Sequence, residues 1–174
     1  VSSSHQWVQE FIQSKPPGSE YIFAPKEIYG WEKVVRPRNS SLFINLSTKD
    51  GNKNVWTTFG PDQIDINWKN PYVLIEFLKL IILYLKNGVS WIRLDAVAFI
   101  WKEKNTNCLH REEVHRIVRL LRFQLELLIK EGVLITETNV PEKENLSYLK
   151  SGDEAHLAYN FPLPPLLLES LLSN

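Results

Sequence analysis

Residues 87–96 read Asn87-Gly88-Val89-Ser90-Trp91-Ile92-Arg93-Leu94-Asp95-Ala96, and residues 132–139 read Gly132-Val133-Leu134-Ile135-Thr136-Glu137-Thr138-Asn139. Each run opens on a glycine that can stop a helix, continues as a short apolar strand and closes on a carboxylate. Upstream of the first run, Asn70 can cap a helix with Pro71 pre-set at its first position. Val73, Leu74, Phe77, Leu78, Ile81 and Leu85 then recur at three- and four-residue steps. A second helix is expected from about Arg111 to Lys130, with Val114, Ile117, Val118, Leu121, Leu125 and Leu128 on one face. A shorter helix near Glu142 to Leu149 ends at Gly152, and a strand follows near Ala155 to Phe161. Pro164-Pro165 then leads an apolar helix that runs to Asn174. The alternation predicts an α/β fold of parallel strands covered by helices. Three strands fit either an open doubly wound sheet or part of an eight-stranded barrel. No Gly-rich phosphate turn follows any of them, which weakens a nucleotide-binding version.

Residues 1–70 read differently, with little helical periodicity and much Pro, Gly, Asn and Ser. Leu42 to Leu46 and Val55 to Phe59 are β-rich, and Asp50-Gly51 between them predicts a hairpin. The basic phrase Val34-Val35-Arg36-Pro37-Arg38 precedes it. This portion reads as a loop-rich excursion with little core of its own.

The chain of 174 residues carries 20 Lys+Arg against 20 Asp+Glu, a formal net charge of zero. That balance argues against a role coating nucleic acid or an anionic membrane, and neither partner is expected. Hydrophobic residues at 44% and charged residues at 23% exclude wholesale disorder. Cys108 stands alone, so no internal disulfide is possible, and no signal-like segment opens the sequence; a cytoplasmic location is expected. The longest apolar stretch, Tyr72 to Leu85, contains Glu76 and Lys79 and is too short to span a bilayer. The chain has no Met and opens at Val1, which leads us to expect part of a longer protein.

The chemistry is expected at the strand ends. Strand side chains alternate, so Arg93 and Asp95 point the same way. A charged pair in an apolar strand is costly unless paired, and Asp95 is expected to be partly desolvated beside the arginine. Glu137 occupies the equivalent place one βα unit later. In parallel βα folds the C-terminal strand ends form the active face, and carboxylates from two neighbouring strands can flank one bond, as a retaining glycosidase requires. A structural Arg93–Asp95 bridge and a Glu137 that caps the next segment fit the same residues. His5, His110, His115 and His156 lack metal-binding spacing, and no metal site is expected. For His110 and His115 surface or cap roles are expected. Of the six Trp, Trp56 and Trp101 are the candidates for stacking on a sugar. Arg36 and Arg38 are expected to be solvated or salt-bridged.

With these motifs the chain resembles the α-amylase superfamily, family 13 of the glycoside hydrolases, and within it the sucrose-phosphorylase-like branch. Ile92-Arg93-Leu94-Asp95-Ala96-Val97 resembles the nucleophile region, and Thr136-Glu137-Thr138-Asn139-Val140-Pro141 the acid/base region. Val35-Arg36-Pro37-Arg38, Trp56-Thr57-Thr58-Phe59-Gly60-Pro61-Asp62-Gln63-Ile64-Asp65, Asp153-Glu154-Ala155-His156 and Phe161-Pro162-Leu163-Pro164-Pro165-Leu166-Leu167 also have counterparts, in order. The resemblance implies a partial (β/α)8 barrel over residues 71–174, strands four to six with their helices. Residues 1–70 would be a small hairpin-rich domain inserted after the third strand.

It further implies retaining transfer of a glucosyl group from an α-glucoside to inorganic phosphate as co-substrate, with no cofactor. The donor would be of the sucrose, sucrose 6-phosphate or glucosylglycerate type. Asp95 would be the nucleophile, Glu137 the general acid/base and Arg93 the residue that orients Asp95. Arg38 would meet phosphate, and Phe59 and Gln63 would line the sugar site. Phe99 and Asn139 stand at acceptor-side positions where sucrose phosphorylases have Tyr and His. Thr136 to Pro141 and Trp101-Lys102 are more similar to relatives acting on glucosylglycerate or phosphorylated sucrose. Glu142 replaces a His common in those relatives, and a carboxylate there would repel an anionic acceptor. The resemblance also implies that a substrate-binding His and a transition-state-stabilising Asp lie outside these residues, so the isolated chain is expected to be inactive. A hydrolase or transglycosylase using the same carboxylates, and a non-catalytic sugar- or protein-binding remnant, are the alternatives.

Overall fold

In the computed structural model Asn70 does cap a helix. Its Oδ1 accepts from the Tyr72 N–H at 3.0 Å, and helix α3 runs from Pro71 to Lys86. The structure describes residues 1–139 and 141–173, so Val140 of the acid/base phrase and Asn174 lie outside the described residues. Helices α1 (Gln6–Ile12) and α2 (Gly18–Tyr21) come first, followed by strands β1 (Phe43–Thr48) and β2 (Gly51–Trp56). After α3 come β3 (Trp91–Leu94), α4 (Glu112–Leu128), β4 (Val133–Thr136), α5 (Glu142–Lys150), β5 (Leu157–Ala158) and α6 (Leu163–Leu172). The described residues form two compact units, 1–80 with 98–114, and 81–97 with 115–173.

In the first unit β1 and β2 form the expected antiparallel hairpin, but the turn is tighter, with only Lys49-Asp50 between Thr48 and Gly51, and the second strand spans Gly51–Trp56 in place of Val55 to Phe59. Gly51 has φ +103°, a conformation that L side chains rarely adopt, so a glycine suits this turn. Residues 1–70 are richer in structure than their sequence implies. They hold α1 and α2, too short to show a helical period, and a core of their own built from Val8, Phe11, Tyr21, Ile22, Val55, Ile64 and Ile66.

In the second unit β3, β4 and β5 form one parallel sheet in that order. Leu94 pairs with Thr136, and Thr136 pairs with Ala158, so the three strands end at the same level. The third strand is only two residues long, against the longer run its composition suggested. On α4 the residues Ile117, Val118, Leu121 and Leu125 are buried as the periodicity requires, while Leu128 at the last turn is exposed. Helix α6 buries none of its residues. Among the described residues no helix is long and apolar enough to cross a membrane.

Candidate active site

The residues that follow the three strand ends are Asp95, Glu137 and Tyr159. The Glu137 N–H donates to the Leu94 carbonyl at 3.0 Å, and the Tyr159 N–H donates to the Thr136 carbonyl at 3.1 Å, so the ladder continues to this level. Arg93 joins the three. Its guanidinium donates to Asp95 Oδ1 at 2.7 Å, the same nitrogen lies 3.7 Å from Glu137 Oε2, and the plane sits 5.4 Å from the centre of the Tyr159 ring. Glu137 Oε2 also accepts from the Ala96 N–H at 2.9 Å.

Arg93 and Asp95 thus lie on one side, as strand alternation requires. The expected desolvation of Asp95 is not found: its side chain is 74% exposed, because it stands one residue beyond the last strand residue. Glu137 is the more enclosed carboxylate, 18% exposed, held between a backbone N–H and the guanidinium. An exposed ion pair such as Arg93–Asp95 contributes at most about 1 kcal/mol to stability. Stability therefore gives little reason for placing an arginine and two carboxylates together at a strand rim.

The sequence carries no local motif that marks Tyr159. Its signal lies in the register: it is the third strand's residue at the level of Asp95 and Glu137. Asn139, the remaining candidate of this unit, is exposed two residues past Glu137.

The other candidates belong to the first unit. Phe59 and Phe99 meet edge to face, with centroids 5.6 Å apart and rings at 73°. Gln63 is exposed, its N–H donating to the Gly60 carbonyl at 2.9 Å. Arg38 is exposed at the loop that Arg36 anchors. Arg36 is half-buried and held by backbone carbonyls, where solvation or a salt bridge is the expectation from sequence. It donates to the carbonyls of Thr57 at 2.9 Å and Ser41 at 3.1 Å, and to that of Ser40. Burial pulls its pKa below the ordinary arginine value. The unit also contains a cleft of about 810 Å³ whose walls include Phe23, Lys26, Asn52, Asn54, Asn67 and Asn70. None of the sugar- or phosphate-site candidates lines it.

Two sequence expectations are corrected by packing. Trp56 is 1% exposed and sits edge-on against Phe23, Trp31 and Phe43, so it is core and offers no face to a sugar. Trp101 carries the Lys69 ammonium 5.6 Å from its ring centre. His115 is largely enclosed, 13% exposed: its Nδ1 lies 2.7 Å from the buried carboxylate of Glu154, and its ring stacks on Tyr148. His5, given no cap role by the sequence, caps helix α1: its Nδ1 accepts from the Trp7 N–H at 3.1 Å. Among the described residues no three His, Cys, Asp or Glu side chains are placed to hold a metal ion.

Comparison with known proteins adds three findings. The family model described as "Alpha amylase, catalytic domain" matches residues 1–172. The chain is 45% identical over 171 residues to a glucosylglycerate phosphorylase from Allomeiothermus silvanus, and 39% identical over 173 residues to one from Escherichia coli. Each alignment covers 98% of this chain and 31% of the relative, so the chain spans about three-tenths of the length of these curated proteins. A sucrose 6F-phosphate phosphorylase from Thermoanaerobacter thermosaccharolyticum superposes with a TM-score of 0.84 at 23% identity, covering 99% of this chain and 38% of that one.

Proposed function

Because the chain belongs to the α-amylase catalytic-domain family, we propose that it supplies strands four to six of a (β/α)8 barrel in a retaining glycoside phosphorylase. The donor would be an α-glucoside of the glucosylglycerate type, the glucosyl acceptor inorganic phosphate and the product α-glucose 1-phosphate. One observation carries the reading: a single guanidinium nitrogen of Arg93 lies 2.7 Å from Asp95 and 3.7 Å from Glu137. Both carboxylates thus meet one cation at adjoining strand ends, where they can flank a single bond as a double displacement requires.

In the first step Asp95 attacks the anomeric carbon as the bond to the leaving oxygen breaks, and Glu137 gives that oxygen its proton. The product of this step is a β-glucosyl ester on Asp95. In the second step Glu137, now ionised, takes a proton from phosphate as a phosphate oxygen attacks the same carbon and frees Asp95. Two inversions give net retention. Arg93 holds the nucleophile at the rim. Arg38 would meet the phosphate, Phe59, Gln63 and Phe99 would line the sugar, and Asn139 would face the acceptor. The reaction needs no metal or organic cofactor. A cytoplasmic setting suits the free, buried thiol of Cys108. Inserted-domain character for residues 1–70, and inactivity of residues 1–174 alone, belong to the same proposal.

The test uses the natural gene product that contains these residues. It is incubated with glucosylglycerate, sucrose and sucrose 6-phosphate, each with and without phosphate. Phosphate-dependent formation of α-glucose 1-phosphate from one of them is expected. Glucose release that ignores phosphate would overturn the phosphorylase reading in favour of a hydrolase.

A further inference from the structure

Lys102 is 3% exposed, and its ammonium has three N–H groups to place. One meets Asp65 Oδ2 at 2.6 Å, one Thr58 Oγ1 at 3.1 Å, and one the carbonyl of Phe99. The face of Trp56 lies 5.2 Å away. The Thr58 hydroxyl is equally committed. It donates to Asp65 Oδ2 at 2.6 Å and accepts from both Lys102 and the Trp56 indole N–H, the latter at 3.0 Å. Its one proton and two lone pairs are all used. Asp65 closes the loop by accepting the Thr58 N–H at 3.0 Å.

Desolvating the buried ammonium of Lys102, and in part the carboxylate of Asp65 (17% exposed), is costly, and a well-packed apolar pair of similar volume is often as stable or more so. Stability alone therefore does not account for the cluster; its saturated geometry does something an apolar pair could not. The bonds of Lys102 run to Thr58, the neighbour of Phe59, and to Phe99 itself. These are the two residues whose rings meet edge to face.

We infer that Lys102 is a positioning residue: with Asp65 it clamps Thr58 to the Phe99 carbonyl and so sets the Phe59–Phe99 ring pair that forms the aromatic wall of the sugar site. The assignment of those rings to the sugar site rests on the function proposed above. The clamp itself does not.

The experiment compares the natural gene product with its Lys102→Met variant. Thr58→Val, which keeps the branched shape and removes the shared hydroxyl, serves as a second variant should the first not fold. Ring-to-ring nuclear Overhauser contacts between Phe59 and Phe99, in phenylalanine-labelled protein, read the clamp without any ligand. Their loss in either variant is expected, and their survival at full strength in a folded variant would overturn the inference. Calorimetric titration with glucosylglycerate then reads the consequence. We expect Kd to rise on the order of tenfold, as for loss of one well-placed contact, with kcat changed less than about threefold. In a Phe59→Leu background Lys102→Met should add less than about twofold, because its effect passes through that ring. An undiminished effect there would show a general structural role and sink the inference. If the parent binds none of the α-glucosides, the proposed function fails, while the ring contacts still decide the clamp.

Discussion

The backbone N–H of Ala96 donates to Oε2 of Glu137 at 2.9 Å, tying the residue after one strand-end carboxylate to the other carboxylate. Ala96 has φ +47°, a left-handed conformation that costs a residue with a Cβ about 1–2 kcal/mol. That turn aims the N–H of Ala96 at the neighbouring strand end. Strained backbone of this kind recurs where chemistry needs a fixed donor.

The two carboxylates are expected to fail differently when changed. Glu137→Gln should lower turnover of a natural α-glucoside by roughly 10²–10⁴-fold, the range ascribed to a general acid/base. With α-glucosyl fluoride, whose leaving group needs no proton, the loss of the glucosylation step should be much smaller. Asp95→Asn should be equally inactive on both donors, because the nucleophile itself is gone. Rates measured for the natural gene product on the two donors check this; near-parent activity in either variant on the natural donor removes that residue from the mechanism.

Glu154 is expected to be a pillar of the second unit. Its side chain is buried, accepts from Arg119 at 2.8 Å and lies 2.7 Å from His115 Nδ1. Changing Glu154 to Gln puts an NH₂ group where one of two cationic or N–H partners needs an acceptor. Breaking a buried pair costs roughly 3–5 kcal/mol, and partial exposure of Arg119 points to the lower end of that range. Denaturant unfolding of the variant reads it, and a loss below about 1 kcal/mol would contradict this account.

His156 should make stability fall on acidification. Its Nδ1 accepts from the Leu134 N–H at 2.9 Å, which requires a neutral ring. Burial, and then the charge of Arg122, hold its pKa below the ordinary 6.5. The unfolded chain therefore binds the proton first. The contribution is present in full above about pH 6.5 and is lost as pH falls from there through the lower folded value. His156→Asn keeps an acceptor in the same place without the titration. The difference in denaturation midpoint between parent and variant should narrow as pH drops below about 6.5; a constant difference would refute the assignment.

Asn70→Ala removes the acceptor for the Tyr72 N–H and should cost about 1 kcal/mol, as for other N-cap deletions. Hydrogen exchange at the Tyr72 amide should speed up in step. An unchanged exchange rate would mean that Pro71 alone defines the helix start.

Short-range signals predicted the elements well where the chain repeats a period over many residues. Helices α3 and α4 and strands β3 and β4 fall where apolar spacing and glycine punctuation put them. Helices α1 and α2 were invisible because seven and four residues are too few to display a 3.6-residue repeat. Asp95 and Trp56 depart from local expectation for different reasons: Asp95 stands one residue past the end of its strand, and the burial of Trp56 depends on what packs beside it. For Trp56 that is Phe23 and Trp31, more than twenty residues away in the chain.

By itself, then, the sequence determined which residues could do chemistry: a carboxylate closing each of two strands, an arginine two positions before the first, and an α/β alternation to carry them. Those facts are local, fixed by strand alternation and helix period. Only the tertiary structure decided that one arginine serves both carboxylates, that Tyr159 stands at their level, and that Lys102 bonds both Thr58 and the Phe99 carbonyl. These depend on sheet register and on contacts between residues as far apart as Thr58 and Lys102, 44 positions in the chain. Local propensity carries no information about such pairings, because they exist only once the chain has closed on itself.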